Sequence, residues 1–166
     1  MKKLFLSVVL ALSALVAGAQ EVSVKYQPEV ELGYSVGTGT FATGRVNLHT
    51  VQGVRVGQYF SAGVGLGLDF YHDLSESCEL FIPITLNVKG HLPVNANVTP
   101  FLSLDLGYGI GATEGVSGSG GFTWSPAVGI RYKKVKFELG YTSQRIQEYG
   151  IGFDMNAVRF AVGLVF

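Results

Sequence analysis

Apolar and polar residues alternate at period two in eight separate stretches, and this alternation limits the possible folds of the chain more than any other feature. From Lys25 to Val36 the even positions are Tyr26, Pro28, Val30, Leu32, Tyr34 and Val36, and the odd positions are Lys25, Gln27, Glu29, Glu31, Gly33 and Ser35. Successive side chains of a strand point to opposite faces, so such a stretch has one apolar and one polar face. The same alternation recurs over 45–50, 60–71, 80–89, 102–110, 124–132, 135–142 and 158–166. No i, i+3, i+4, i+7 pattern competes with it. The expectation is an all-β chain of eight strands. Each is close to the about 9–11 residues of a tilted strand that crosses a bilayer.

The intervening segments fall into two classes. Those at 55–58, 90–97 and 133–134 are mostly short, whereas those at 37–44, 72–79, 112–121 and 144–156 are longer and rich in Gly, Ser, Thr and charge. Short turns at one end and longer loops at the other are the layout of an antiparallel up-and-down barrel. Ahead of the strands, Met1-Lys2-Lys3 leads into an apolar run from Leu4 to Val16 and then Ala17-Gly18-Ala19. This is the plan of a secretory signal peptide, with cleavage after Ala19. The run is shorter than the about 20 apolar residues of a transmembrane helix. The domain reading is a signal peptide over 1–19 and a barrel over 20–166.

Period two does not by itself distinguish a membrane barrel with its oily face outward from a soluble, lipocalin-like carrier with that face inward. Three features favour the membrane. The polar face is crowded with glycine (Gly33, Gly63, Gly65, Gly67, Gly107, Gly109, Gly129, Gly140, Gly163), which suits a narrow interior. Its charges nearly balance, with Glu29, Glu31, Asp69, Asp105 and Glu138 against Arg45, Lys89, Arg131 and Arg159. Buried charges persist only when paired, so these nine are expected to form an internal ion network. Finally, the chain ends on Phe166, preceded at alternate positions by Leu164, Val162 and Phe160.

That terminal strand resembles the C-terminal signature of bacterial outer-membrane barrels, which implies recognition by the barrel assembly machinery during insertion. Over nearly the whole mature chain the layout resembles small eight-stranded outer-membrane proteins of the OmpA/OmpX type. The glycine-rich strand over 60–71 is similar to the porin-like barrel family common in Bacteroidetes. The resemblance implies an eight-stranded antiparallel up-and-down transmembrane β-barrel in the bacterial outer membrane, in contact with membrane lipid and lipopolysaccharide. It implies no peptidoglycan anchoring, because no soluble domain follows the barrel as in full-length OmpA. Aromatic residues near strand ends (Tyr26, Tyr34, Phe60, Phe70, Tyr108, Trp124, Tyr132, Tyr141) fit interfacial girdles.

Specific chemistry is sparsely encoded. A net charge of zero, with 12 basic residues spread along the chain, offers no footprint for nucleic acid. The single cysteine, Cys78, excludes an intramolecular disulfide. His49, His72 and His91 lie in separate segments without metal-ligand spacing, and His49 is expected inside, as a neutral imidazole bridging Asn47 or a neighbouring carboxylate. No cofactor is implied. A lipid-modifying enzyme built on His72, Asp73, Ser75 and Ser77 is the alternative from another class, although no G-x-S-x-G or H-E-x-x-H motif is present. The leading expectation is a non-enzymatic, monomeric barrel with a structural or barrier role, or one in surface contacts. The loop at 144–156, with Arg145, Ile146, Tyr149, Ile151 and Phe153, is the candidate contact surface. The prolines are expected at rims or bulges, because a closed barrel has no free edge.

Overall fold

The computed structural model describes residues 23–39, 42–72, 78–113, 116–148 and 151–166. The leader reading at 1–19 lies outside them. Nine strand segments follow one another: β1 (Val24–Tyr26), β2 (Glu29–Thr38), β3 (Gly44–Val56), β4 (Phe60–His72), β5 (Cys78–His91), β6 (Val98–Gly111), β7 (Gly120–Tyr132), β8 (Val135–Glu148) and β9 (Ile151–Val165). The first two are one strand. Tyr26 faces Val54 and Glu29 faces Val51, so the register continues unshifted past Gln27 and Pro28. Each strand pairs antiparallel with its sequence neighbour, and β2 pairs with β9 from Glu29↔Val165 to Thr38↔Asn156, which closes an eight-stranded barrel.

Two expectations about the strands are corrected. Pro83 and Pro126 sit inside β5 and β7 rather than at a rim or bulge. The β4–β5 pairing passes from Leu66↔Ile84 to Asp69↔Phe81, and the β7–β8 pairing from Trp124↔Ser143 to Ala127↔Gly140, both with register intact. A proline removes one donor, and therefore the ladder to one neighbour only. On its other side Pro83 still pairs with Gly109, and Pro126 with Leu104.

The second correction concerns the segment at 144–156, which is mostly strand. β8 runs to Glu148 and β9 starts at Ile151, leaving residues 149–150 as the connection. Here the parity rule holds but the polarity reverses. Ile146 turns inward, with Phe153 and Met155 packed against the same cluster, while Arg145 and Asp154, directly opposite each other, are exposed. Wall that rises beyond the apolar belt meets water on its outside, so the polar side chains there face out.

Lower on the wall the faces are sorted the other way. Leu32, Leu86 and Leu102 are 59%, 64% and 60% exposed, while Glu29, Lys136 and Arg159 are 4%, 2% and 3% exposed. The outward rows of Val, Leu, Ile and Phe on β2 to β9 form a continuous apolar belt. A patch of this extent far exceeds the about 300–600 Å² largest patch of a typical soluble monomer. Tyr26, Phe60, Tyr132 and Phe166 lie at its short-turn edge, and Tyr34, Phe70, Tyr108 and Tyr141 lie toward the loops. The carrier reading, with the oily face inward, is thereby corrected: the chain is a membrane-spanning barrel.

Candidate functional site

The apolar belt carries few polar groups, so most charged and hydrogen-bonding side chains gather in the interior and toward the two ends. Inward positions on adjacent strands meet in layers along the axis. Nearest the short turns, Glu29 of β2 accepts from Lys89 of β5 and from Lys136 of β8, the latter at 2.6 Å. One layer up, Lys136 Nζ also lies 2.6 Å from Glu31, and Arg159 of β9 lies 3.1 Å from Glu31 and bonds Glu138. Asp105 is 3.9 Å from Arg159 and accepts from Asn87 at 2.6 Å. On the β3–β4 side, His49 Nε2 is 2.7 Å from Asp69 and Nδ1 is 3.6 Å from Glu31. Asn47 donates to Asp69 at 2.6 Å rather than bonding to His49. The His49 ring has room because its neighbour on β4 is Gly67, where a Cβ would come within 2.6 Å of Nε2 and 2.8 Å of Pro83 Cγ.

The expected charge set is therefore only partly gathered. The structure brings Glu29, Glu31, Lys89, Asp105, Glu138 and Arg159 together, links Asp69 to them through His49, and adds Lys136. Lys136 shares the parity of Glu138, which is the sequence signal for it, but its place beside the turn at 133–134 obscures that signal. Arg45 is buried yet makes no ion pair among the described residues; it donates to Tyr71 and, at 2.9 Å, to Thr142. Arg131 stands at the short-turn mouth, 3.5 Å from Thr99 Oγ1, outside the network. Both placements correct the expectation of paired arginines. The reason is axial position: the carboxylates lie in the lower and middle layers, Arg45 lies above them, and Arg131 lies below.

Above the ions the barrel is capped. Tyr71, Phe81, Val116 and Ile146 form an apolar cluster, with Phe153 and Met155 packed against it, and Phe81 has no exposed surface. Tyr71 also bonds downward to Gln144 at 3.0 Å. Ile146 is thus part of the cap rather than a surface contact, and Phe153 is half-buried against it. Tyr149, and the side chain of Ile151, lie outside the described residues. Of the five contact candidates, Arg145 is the one the structure places on the exterior.

The alternative catalytic loop is represented by His72, whose Nε2 lies 3.1 Å from Tyr34 Oη on the outward face. Asp73, Ser75 and Ser77 lie outside the described residues. The terminal residues Phe160, Val162, Leu164 and Phe166 all face outward in the belt, and the Phe166 N–H donates to the Pro28 carbonyl at 3.0 Å.

Among solved structures, Neisserial surface protein A is similar at 12% identity and a TM-score of 0.66, with 86% of this chain and 97% of that chain covered. The chain has the fold of the small eight-stranded outer-membrane barrels. The outer membrane enzyme PagL aligns over 82% of this chain and 98% of its own at 7% identity and a TM-score of 0.59. The N-terminal β-barrel domain of Pseudomonas aeruginosa OprF aligns over 87% of this chain and all of its own at 15% identity and 0.51. No family model and no curated protein matches the sequence.

Proposed function

We propose that the chain is a non-enzymatic, integral outer-membrane barrel that acts as a closed structural element and presents its loop end to the exterior. The observation that carries this reading is the filled interior: a buried ion network below and an apolar cap above occupy the axis along which a solute would pass. Eight strands leave an interior just wide enough for such side chains. Surface protein and β-barrel domain are the words that two of the neighbours' own descriptions use of them.

In this reading lipid and lipopolysaccharide cover the belt, the protein works as a monomer, and the assembly machinery engages the terminal strand ending at Phe166. Surface contacts fall to the exposed Arg145 and Asp154 ridge of the β8–β9 hairpin. When the protein is expressed with its leader, the outer-membrane fraction is expected to give a heat-dependent mobility shift on SDS gels. Reconstituted into planar bilayers, the barrel is expected to give no steady conductance; stable porin-sized currents would overturn the barrier role. Altered lipid A in a deletion strain would instead favour an enzyme using His72.

A further inference from the structure

Among the described residues, the short-turn mouth gathers more basic than acidic side chains. Lys25 and Arg55 are directly opposite across β1 and β3, and Arg131 and Lys136 are directly opposite across β7 and β8. Like charges in such cross-strand positions are destabilising. Arg55 of β3 and Arg131 of β7 stand at the same end of the barrel, four strands apart around the ring. Neither makes an ion pair among the described residues. Arg55 donates to the Gln58 carbonyl at 2.7 Å and lies 3.5 Å from Gln27 Oε1, and Arg131 reaches only Thr99. The side-chain carboxylate nearest this end among the described residues, Glu29, is already shared by Lys89 and Lys136.

A second observation points the same way. Below the mouth is a recess whose lining includes Arg131, His91, Phe101, Lys89, Lys136 and the Glu29 they surround; Arg55 is outside that lining and reaches its edge through Gln27. His91 is 4% exposed; its Nε2 is 2.8 Å from Ser61 Oγ, but its Nδ1 has no partner. Buried polar atoms are nearly always satisfied, so this orphan in a recess at the arginine-bearing mouth marks a place for a missing acceptor or donor. The recess has room for about one water. A larger group would stay at the open mouth.

We propose that the short-turn mouth is an anion site in which Arg55 and Arg131 grip a phosphate group, with His91 beneath it. Guanidinium forks match phosphate oxygens, and a phosphate, with oxygens on several sides, can accept from two forks at once where a single carboxylate offers one edge. The exposed Lys133 and Lys134 of the β7–β8 turn add to the attraction. The phosphate belongs either to a soluble compound on that side of the membrane or to a phospholipid headgroup of the adjoining leaflet. The unfavourable like-charge pairs follow from this role, as binding sites hold charge at the expense of the empty fold.

The test uses the folded barrel in an uncharged detergent, with inorganic phosphate titrated by calorimetry against chloride at equal ionic strength. Saturable binding is expected, with a rise in unfolding midpoint that chloride does not reproduce. In the R55Q/R131Q variant the affinity should fall about tenfold or more, while the phosphate-free midpoint stays level or rises, since no carboxylate loses a partner. R55K/R131K, which keeps both charges, should fold and retain part of the binding even if the glutamine variant does not fold. Short-chain phosphatidylglycerol against phosphatidylcholine in the same detergent separates the sources: preference for the glycerol lipid over inorganic phosphate assigns a headgroup, and the reverse assigns a soluble phosphate. Binding unchanged in R55Q/R131Q, or a phosphate effect equalled by chloride, overturns the proposal.

Discussion

Replacing Arg159 with leucine is expected to lower the stability of the folded barrel by about 3–5 kcal/mol, the usual loss when one partner of a buried ion pair is removed and the other stays buried. Arg159 is 3% exposed and bridges Glu31 at 3.1 Å and Glu138, two carboxylates whose remaining cation is Lys136, 2.6 Å from Glu31 and 3.9 Å from Glu138. Without the guanidinium, two negative charges face each other in a narrow space and must protonate, recruit water or push the wall apart. Urea unfolding of the lipid-refolded protein measures the loss. The double variant R159L/E138L should recover part of it, because the two sites are in contact and their effects are not additive. Arg131→Leu, at the mouth and outside the network, should change the midpoint far less. An unaltered midpoint in R159L would mean that water, and not the carboxylates, satisfies the guanidinium.

A charge on the outer wall should act as strongly, and the sign of its effect reports the surrounding medium. Leu104 lies at the middle of the row Leu102, Leu104 and Leu106 on β6, flanked across the sheet by Val88 and Pro126. Leu104→Arg at the bilayer midplane is expected to cost about 2–4 kcal/mol. The same substitution at Tyr132, beside the short turn at 133–134, should cost much less, because the guanidinium reaches the headgroups. Were the belt covered by water, exchanging an exposed leucine for arginine would be neutral or would improve solubility. Refolding into bilayers with urea titration decides between these, and equal small effects at both depths would remove the membrane-spanning assignment.

The fold was legible because parity is a local property. Val30, Leu32 and Tyr34 share a face on any extended strand whatever its neighbours are, and the turn residues between stretches separate the strands without tertiary information. The same rule misleads where the solvent changes along one strand. Ile146 and Phe153 obey the alternation with inverted polarity, so sequence reasoning reads them as loop, whereas the wall simply continues past the lipid. Pro83 and Pro126 show a related limit: sequence suggests a broken ladder, but each proline deprives only one neighbour of a bond, and the other neighbour holds the register.

The candidate site was legible as a list of charges and not as a set of contacts. The sequence by itself determined that Glu29, Glu31, Glu138 and Arg159 lie on the polar face of their strands, since one-residue parity decides the face, and the closed barrel turned that face inward. Which of them meet was decided only by closure of the barrel. Pairing β2 with β9, and β9 with β8, brings Lys136 to Glu29 across 107 positions of chain and sets Arg159 between Glu31 and Glu138. Height along the axis then leaves Arg45 above the carboxylates and Arg131 below them. Depth and partner depend on register and strand tilt summed around the ring, and no local pattern carries that sum.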